Sequence, residues 1–242
     1  MKNLLIPLIA CIACAVVVSI TAVSVRAEQN LNIENEKKAK ILAAAGIVTE
    51  NIDLEFGKIE TLYVDFNSGE FVQVDDKYDH IKAANSIATS KLVPKEKDIA
   101  ILKRQENIGP IYLWKDANNA IEKVVLPIRG YGLWGTLYGY LSLGPDLNTV
   151  QGIEYYEHKE TPGLGGEVDN PAWKSIWQGK KVFTDSGEVN LKVVKGASKT
   201  EYEIDGISGA TLTSNGVTNM IQYWLGEEAY GPVIESLKGA NS

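Results

Sequence analysis

The stretch DGISGATLTSNG, residues 205–216, concentrates glycine, hydroxyl and acidic residues directly before an apolar helical pattern. The apolar residues recur at intervals of three and four, as on one face of an α-helix, and are Val217, Met220, Ile221, Trp224 and Leu225. Amides at a helix start attract anions, and Gly206 and Gly209 let a ligand approach the backbone closely. The stretch indicates a phosphate site. The alternative is a capped helix after a turn, with Thr213 or Ser214 as the N-cap residue.

A second glycine-rich stretch, HKETPGLGGE, covers residues 158–167 and follows a strand rich in tyrosine. Its proline and three glycines force an irregular loop with available amides. Such a loop is suited to covering a flat ligand, with Leu164 as an apolar contact. The alternative is a tight connection to a helix that Asn170 caps and Pro171 begins. His158 has no matching Asp or Cys constellation, so we expect it to be structural or a simple hydrogen-bond donor.

Two further stretches carry aromatic residues between glycines. In RGYGLWG, residues 129–135, Tyr131 and Trp134 could stack on a planar ring, whereas a bent strand with core aromatics is the alternative. In GEEAYGP, residues 226–232, we expect Gly226 to end the helix and the rest to pack the tail.

The chain contains no Ser/His/Asp order, metal-ligand spacing, Walker loop or dinucleotide fingerprint. Catalysis by side chains alone therefore has little support, and the pattern favours a site that holds a cofactor. The net charge is −7, and no basic stripe with interleaved aromatics is present, which argues against a nucleic-acid partner.

Residues 4–25 contain no charged side chain. As a helix they would extend about 33 Å, compared with a hydrocarbon thickness of about 30 Å, which predicts one membrane anchor. Two alternatives are a signal peptide cleaved near Val25-Arg26-Ala27 and lipid attachment at Cys11. Lys2 and the terminal amine precede the span, while Arg26, Lys37, Lys38 and Lys40 follow it, so this weak charge count points to a cytoplasmic domain.

Both cysteines, Cys11 and Cys14, lie inside the apolar span, so the remainder of the chain has no thiol for disulfides, catalysis or metal binding. That remainder reads as a helix over 34–45, a hairpin of 61–66 with 71–76, and a short helix over 80–90. An antiparallel meander of four strands follows at 110–116, 120–128, 134–143 and 149–158, with another strand near 188–194. This grouping predicts an α+β fold with an antiparallel sheet flanked by helices. We divide the chain into an anchor (1–26), a membrane-proximal region (27–100) and a ligand-binding domain (101–242).

The whole chain resembles the NqrC family, named for a component of the Na⁺-translocating NADH:quinone oxidoreductase (Nqr), which belongs to the wider FMN-binding domain family. The resemblance is carried by the anchor, RGYGLWG, HKETPGLGG, DGISGATLTSNG and WLGEEAYGP, in that order. Ser208-Gly209-Ala210-Thr211 resembles the flavin-attachment motif of the FMN-binding domain family. The resemblance therefore implies FMN linked covalently, through a phosphoester, to Thr211.

The same resemblance implies which residues surround the flavin. Gly209 and Ala210 leave room for the phosphate, and Ser208 and Thr213 are rival hydroxyls. Asp205 matches the acid at the start of the motif and would serve transferase recognition or Mg²⁺ positioning, with a turn residue as the alternative. The residues implied at the ring are Glu160, Thr161, Leu164 and Gly165, followed by Tyr131, Leu133 and Trp134.

The implied function is that of a membrane-anchored carrier that passes electrons toward ubiquinone or a related quinone, in a complex that exports sodium. The implied partners are the other membrane subunits of Nqr, a flavin transferase and the membrane itself. The implied location is the inner membrane, with the large domain on the periplasmic side. The RnfG component of the Rnf electron-transport complex shares the anchor and the Ser-Gly-Ala-Thr motif, but RGYGLWG and the tail favour Nqr. A flavin-free anchored scaffold is the alternative of another class.

Overall fold

The structure, a computed structural model, describes residues 2–240. The terminal amine at Met1 and the last two residues of the predicted ligand-binding domain, Asn241 and Ser242, lie outside the described residues. The division between two compact units falls between Ala39 and Lys40. The helices are α1 (Lys2–Ala44), α2 (Ile52–Phe56), α3 (His80–Ala84), α4 (Pro171–Ser175), α5 (Thr211–Leu225) and α6 (Gly231–Ala240), with a 3-10 helix at Gly165–Asp169.

Helix α1 contains the apolar stretch. Among the described residues, one segment, Pro7–Arg26, is long and apolar enough to cross a membrane. The helix predicted over 34–45 continues this segment without interruption. It ends at Gly46, whose φ of +72° favours glycine, and the amide of Ile47 donates to the carbonyl of Leu42 at 2.9 Å.

A six-stranded sheet forms the centre of the second unit. The strands of the chain are β1 (Glu60–Asp65), β2 (Phe71–Val72), β3 (Ser90–Leu92), β4 (Arg104–Glu106), β5 (Ile108–Lys115), β6 (Ile121–Tyr131), β7 (Thr136–Leu143), β8 (Val150–Glu157), β9 (Lys192–Val194) and β10 (Glu203–Asp205). The large sheet has the order β2-β1-β5-β6-β7-β8, and each neighbouring pair is antiparallel. The predicted α+β class, the hairpin and the meander are therefore confirmed.

Strand β6 is buried on both faces. Val124, Leu126 and Ile128 belong to the same apolar core as Met220 of α5. Val125, between them, belongs to a second core with the end of α1, because successive strand residues point to opposite faces. The sheet thus separates α5 from the last turn of α1.

Several local predictions differ from the structure. The helix expected over 80–90 ends at Ala84, and the second hairpin strand, expected over 71–76, is only β2. Helix α5 does end before Gly226, but a further helix, α6, follows the tail motif. Neither Thr213 nor Ser214 caps α5, since the helix already begins at Thr211. The pairing of β9 with β10, which is parallel, was not predicted because strands of three residues carry too little alternation.

Candidate functional site

The attachment motif forms the loop from β10 into α5. Thr211 is the first residue of α5 and is exposed, as are Ser208 and Gly209. Ala210 occupies the N-cap position, and no side chain caps the helix. Ser214 instead accepts a hydrogen bond from the amide of Ile207 at 3.3 Å, which holds the loop against the helix. The first turn therefore presents backbone amides beside an accessible hydroxyl.

A pocket of about 310 Å³ opens beside Thr211, between the end of β9 and the start of α5. Thr218 holds these elements together, because its hydroxyl accepts a hydrogen bond from the amide of Val193 at 2.9 Å. Lys195, Gly196 and Asn215 are among the lining residues. A lysine, backbone amides and a threonine hydroxyl are groups that suit an anionic ligand.

Asp205 ends β10 and acts as a turn residue in this structure. Its Oδ1 accepts a hydrogen bond from the amide of Ser198 at 2.7 Å. This bond and the side chain of Ser198 lower the pKa of Asp205. The carbonyl of Asp205 accepts a hydrogen bond from Nε1 of Trp173 at 2.8 Å. Its contacts thus fix the loop ahead of the motif.

Glu160 is buried and joins three segments of the chain. Its Oε1 accepts hydrogen bonds from the amides of Leu133 at 3.0 Å and Trp134 at 2.8 Å. Its Oε2 accepts a hydrogen bond from the hydroxyl of Thr213 at 2.5 Å. Thr213 is only 1% exposed, so this hydroxyl faces the interior. The three glycine-rich motifs therefore meet at one carboxylate.

The HKETPGLGG loop is shaped by its own backbone. The carbonyl of Thr161 accepts hydrogen bonds from the amides of Leu164 at 3.1 Å and Gly166 at 2.9 Å, and the 3-10 helix begins at Gly165. His158 has the predicted structural role, since Nδ1 accepts from the amide of Glu160 at 3.2 Å and Nε2 lies 3.0 Å from Asp169. Leu164 projects toward the attachment motif, where a Cβ atom on Gly209 would lie 3.0 Å from its Cδ2.

Large apolar side chains are exposed on these same segments. Leu133 is 40% exposed, Trp134 63%, Leu164 46% and Leu212 58%. The interpretation of Trp134 as a core aromatic is therefore wrong. Tyr131 lies elsewhere, since Gly130 faces Met220 of α5 and the next residue of the strand points to the opposite face of the sheet.

The predicted residues are thus divided by their surroundings. Thr211, Ser208 and Gly209 share the exposed loop, and Ala210 is buried beneath it. Glu160, Gly165 and Thr213 lie together inside, as shown by the overlap that a Cβ atom on Gly165 would have with Glu160. Sequence reasoning missed Lys195, which no motif contains, and Leu212. The position of Leu212, next to Thr211 and outside the apolar helical stripe, was the available signal.

Comparisons with known proteins agree with this arrangement. The family model of the FMN-binding domain matches residues 132–226, which include all three motifs at the carboxylate of Glu160. The C-type subunit of the Na⁺-translocating NADH-quinone reductase of Pseudomonas aeruginosa is 39% identical over 250 residues, covering 98% of this chain and 95% of the relative.

Two solved structures are similar over most of the chain. NqrC of Shewanella oneidensis has a TM-score of 0.81 and 33% identity, covering 86% of this chain and 99% of that one. The corresponding protein of Parabacteroides distasonis has a TM-score of 0.67 and 31% identity, covering 86% and 96%. Because sequence, fold and motif order agree over nearly the full length, the chain belongs to the NqrC family, whose members are subunits of the Na⁺-translocating NADH-quinone reductase, an oxidoreductase complex.

Proposed function

We propose that this protein is an electron-carrying subunit that holds FMN through a phosphoester to Thr211. Membership of the NqrC family and the match to the FMN-binding domain support the choice of cofactor and complex. The observation that carries the attachment site is the exposed Thr211 hydroxyl at a helix start without a side-chain cap.

The surroundings of Thr211 fit a phosphodiester. Such a group keeps one negative charge, and α5 begins at the attachment residue itself. The positive end of the helix stabilises a charge there by about 0.3–1 kcal/mol when the site is exposed. Lys195, on the wall of the neighbouring pocket, adds a positive charge, and the pocket gives space beside the hydroxyl.

The attachment reaction is a phosphoryl-type group transfer, with FAD as the donor and a flavin transferase as the catalyst. The Thr211 oxygen forms a bond to the phosphorus of the FMN half of FAD. The pyrophosphate bond to AMP breaks, and the hydroxyl proton leaves to a base of the transferase or to water. No oxidant or reductant is consumed.

The exposed apolar side chains suit a flat aromatic ligand. Leu133, Trp134 and Leu164 lie on segments that meet at Glu160, and Leu212 follows Thr211 directly. We assign the ring to these side chains, with Thr161 and Gly165 shaping the loop and Glu160 holding it from inside. FMN supplies one-electron and two-electron transfer when bound. The exposure of this region leaves it open to a redox partner.

The rival hydroxyls are separated by their exposure. Thr213 is buried, and its hydroxyl donates to Glu160, so a transferase has no access to it. Ser208 is exposed and remains a competitor on access alone. A direct test must therefore distinguish Ser208 from Thr211.

The test is co-expression of the full chain with a flavin transferase, followed by intact-mass measurement and in-gel flavin fluorescence after denaturation. The wild-type chain and Ser208→Ala should carry one FMN, whereas Thr211→Ala should carry none. An adduct that persists in Thr211→Ala would refute the assignment.

The wider role follows from the family and is part of the same proposal. The partners are the other Nqr subunits, and electrons pass through this protein toward quinone in a complex that exports sodium. The apolar helix anchors the protein in the inner membrane, with residues 101–242 as the FMN-binding domain on the periplasmic side. Residues 27–100 form the membrane-proximal region.

A further inference from the structure

Glu160 is the point at which the three motif segments are tied together. One carboxylate oxygen receives the two consecutive amides of Leu133 and Trp134, and the other receives the hydroxyl of Thr213. Glu160 is 5% exposed, so these donors rather than water satisfy it. A carboxylate accepts at both oxygens and is therefore able to collect donors from two sides.

Two glycines leave the space that this carboxylate occupies. A Cβ atom on Gly132 would lie 2.7 Å from Oε1 of Glu160. A Cβ atom on Gly165 would overlap Oε2 and lie 2.5 Å from the hydroxyl oxygen of Thr213. The glycines of two separate motifs are thus required by the same buried side chain.

The segments that Glu160 joins carry the exposed residues of the site. The amides it holds belong to Leu133 and Trp134, whose side chains are exposed. Thr213 lies two residues after Thr211 in the first turn of α5. Glu160 itself begins the loop that presents Leu164 against Gly209.

We propose that Glu160 is a positioning residue, and that its three hydrogen bonds fix the apolar side chains of the ring site relative to the attachment residue Thr211. This inference rests on the proposed function for its ligand, but not for its hydrogen bonds. Glu160 contacts the protein and not the flavin ring. Its removal should leave attachment intact and loosen the attached flavin.

The test compares Glu160→Ala and Glu160→Gln with Glu157→Ala, a matched control at an exposed glutamate of β8. Each full chain, in detergent and loaded by the transferase, is measured for flavin content by mass and for flavin fluorescence anisotropy. Amide hydrogen exchange at Leu133 and Trp134 is measured on the same chains without flavin.

Glu160→Ala should retain covalent FMN, while its anisotropy falls toward that of the denatured flavinylated chain and both amides lose protection. Glu160→Gln should restore both readouts, because its amide oxygen accepts from Leu133 and Trp134 while its NH₂ donates to Thr213. Glu157→Ala should match the wild-type protein. Unchanged anisotropy and protection in Glu160→Ala, or no recovery in Glu160→Gln, would overturn the inference.

A second pair of variants covers the case in which Glu160→Ala does not fold. Thr213→Val removes one donor at nearly constant shape, and Thr213→Ser keeps it. Anisotropy should fall in Thr213→Val and recover in Thr213→Ser, and equal values in the two would overturn the inference. A wild-type chain that takes up no flavin contradicts the proposed function, whereas the exchange measurement still decides the role of Glu160.

Discussion

At the scale of single residues, two threonines of one motif have different environments. Thr211 is exposed, whereas Thr213 is 1% exposed and bonded to Glu160. Motif resemblance singled out Thr211, but the residue types alone left Thr213 as a rival. A usable signal was present, because Thr213 precedes Val217 by four residues and therefore shares the apolar face of the helix. The link to Glu160 crosses 53 residues of chain, and no local pattern predicts such a contact.

Gly132→Ala should destabilise the protein, because the new Cβ atom meets the carboxylate that holds the next two amides. We expect the free energy of unfolding to fall by about 1–3 kcal/mol, as for other overpacked sites. Gly135→Ala, in the same loop, is the control, since its Cβ atom meets the side chain of Lys159 at 3.1 Å and that long side chain can move. Denaturant unfolding followed by tryptophan fluorescence checks this, and an equal loss in both variants would contradict it.

At the scale of elements, the meander and α5 were predictable because each is long enough to show its period. Strands β5 to β8 alternate over eight or more residues, and α5 repeats its apolar face over fifteen. Strands β9 and β10 are three residues each and pair in parallel through a connection of 195–202, so no local pattern shows them. The start of α5 was misplaced because hydroxyl residues inside the first turn resemble N-cap residues.

The seating of α5 on β6 depends on Gly216. A Cβ atom there would overlap the carbonyl oxygen of Tyr131 and lie 3.0 Å from Cα of Gly132. Helix propensity alone predicts that Gly216→Ala stabilises by about 1 kcal/mol. We expect the opposite sign, a loss of about 1–3 kcal/mol, because the helix must move away from the strand.

The matched control is Asn215→Ala, an exposed position of the same helix, where alanine should leave stability unchanged or slightly raised. Thermal unfolding followed by circular dichroism distinguishes the two variants. A stabilising Gly216→Ala would show that the helix adjusts freely on the sheet.

At the scale of the whole molecule, composition predicted an anchored α+β protein, and the family was recognisable from the order of its motifs. Orientation was not predictable from charge, because Glu28, Glu34 and Glu36 lie among the lysines that follow the span. Long domains also cross membranes regardless of the charges that flank them. The periplasmic assignment therefore needs an experiment of its own.

Ser186→Cys provides that experiment, since Ser186 is exposed in a loop and the natural cysteines, Cys11 and Cys14, lie in the apolar helix. A membrane-impermeant maleimide should label Ser186→Cys in intact cells and should leave the wild-type chain unlabelled. Labelling that requires cell lysis would place the domain in the cytoplasm.

The exposed hydroxyl at the start of α5 also bears on the order of maturation. An enzyme that modifies Thr211 meets it on the finished surface, so neither the sheet nor the helix has to open for loading. Translocation and folding can be complete before a flavin is committed, and a misfolded copy lacks the helix start that presents the acceptor. The cofactor is then the last part added to the protein and not a template for its folding.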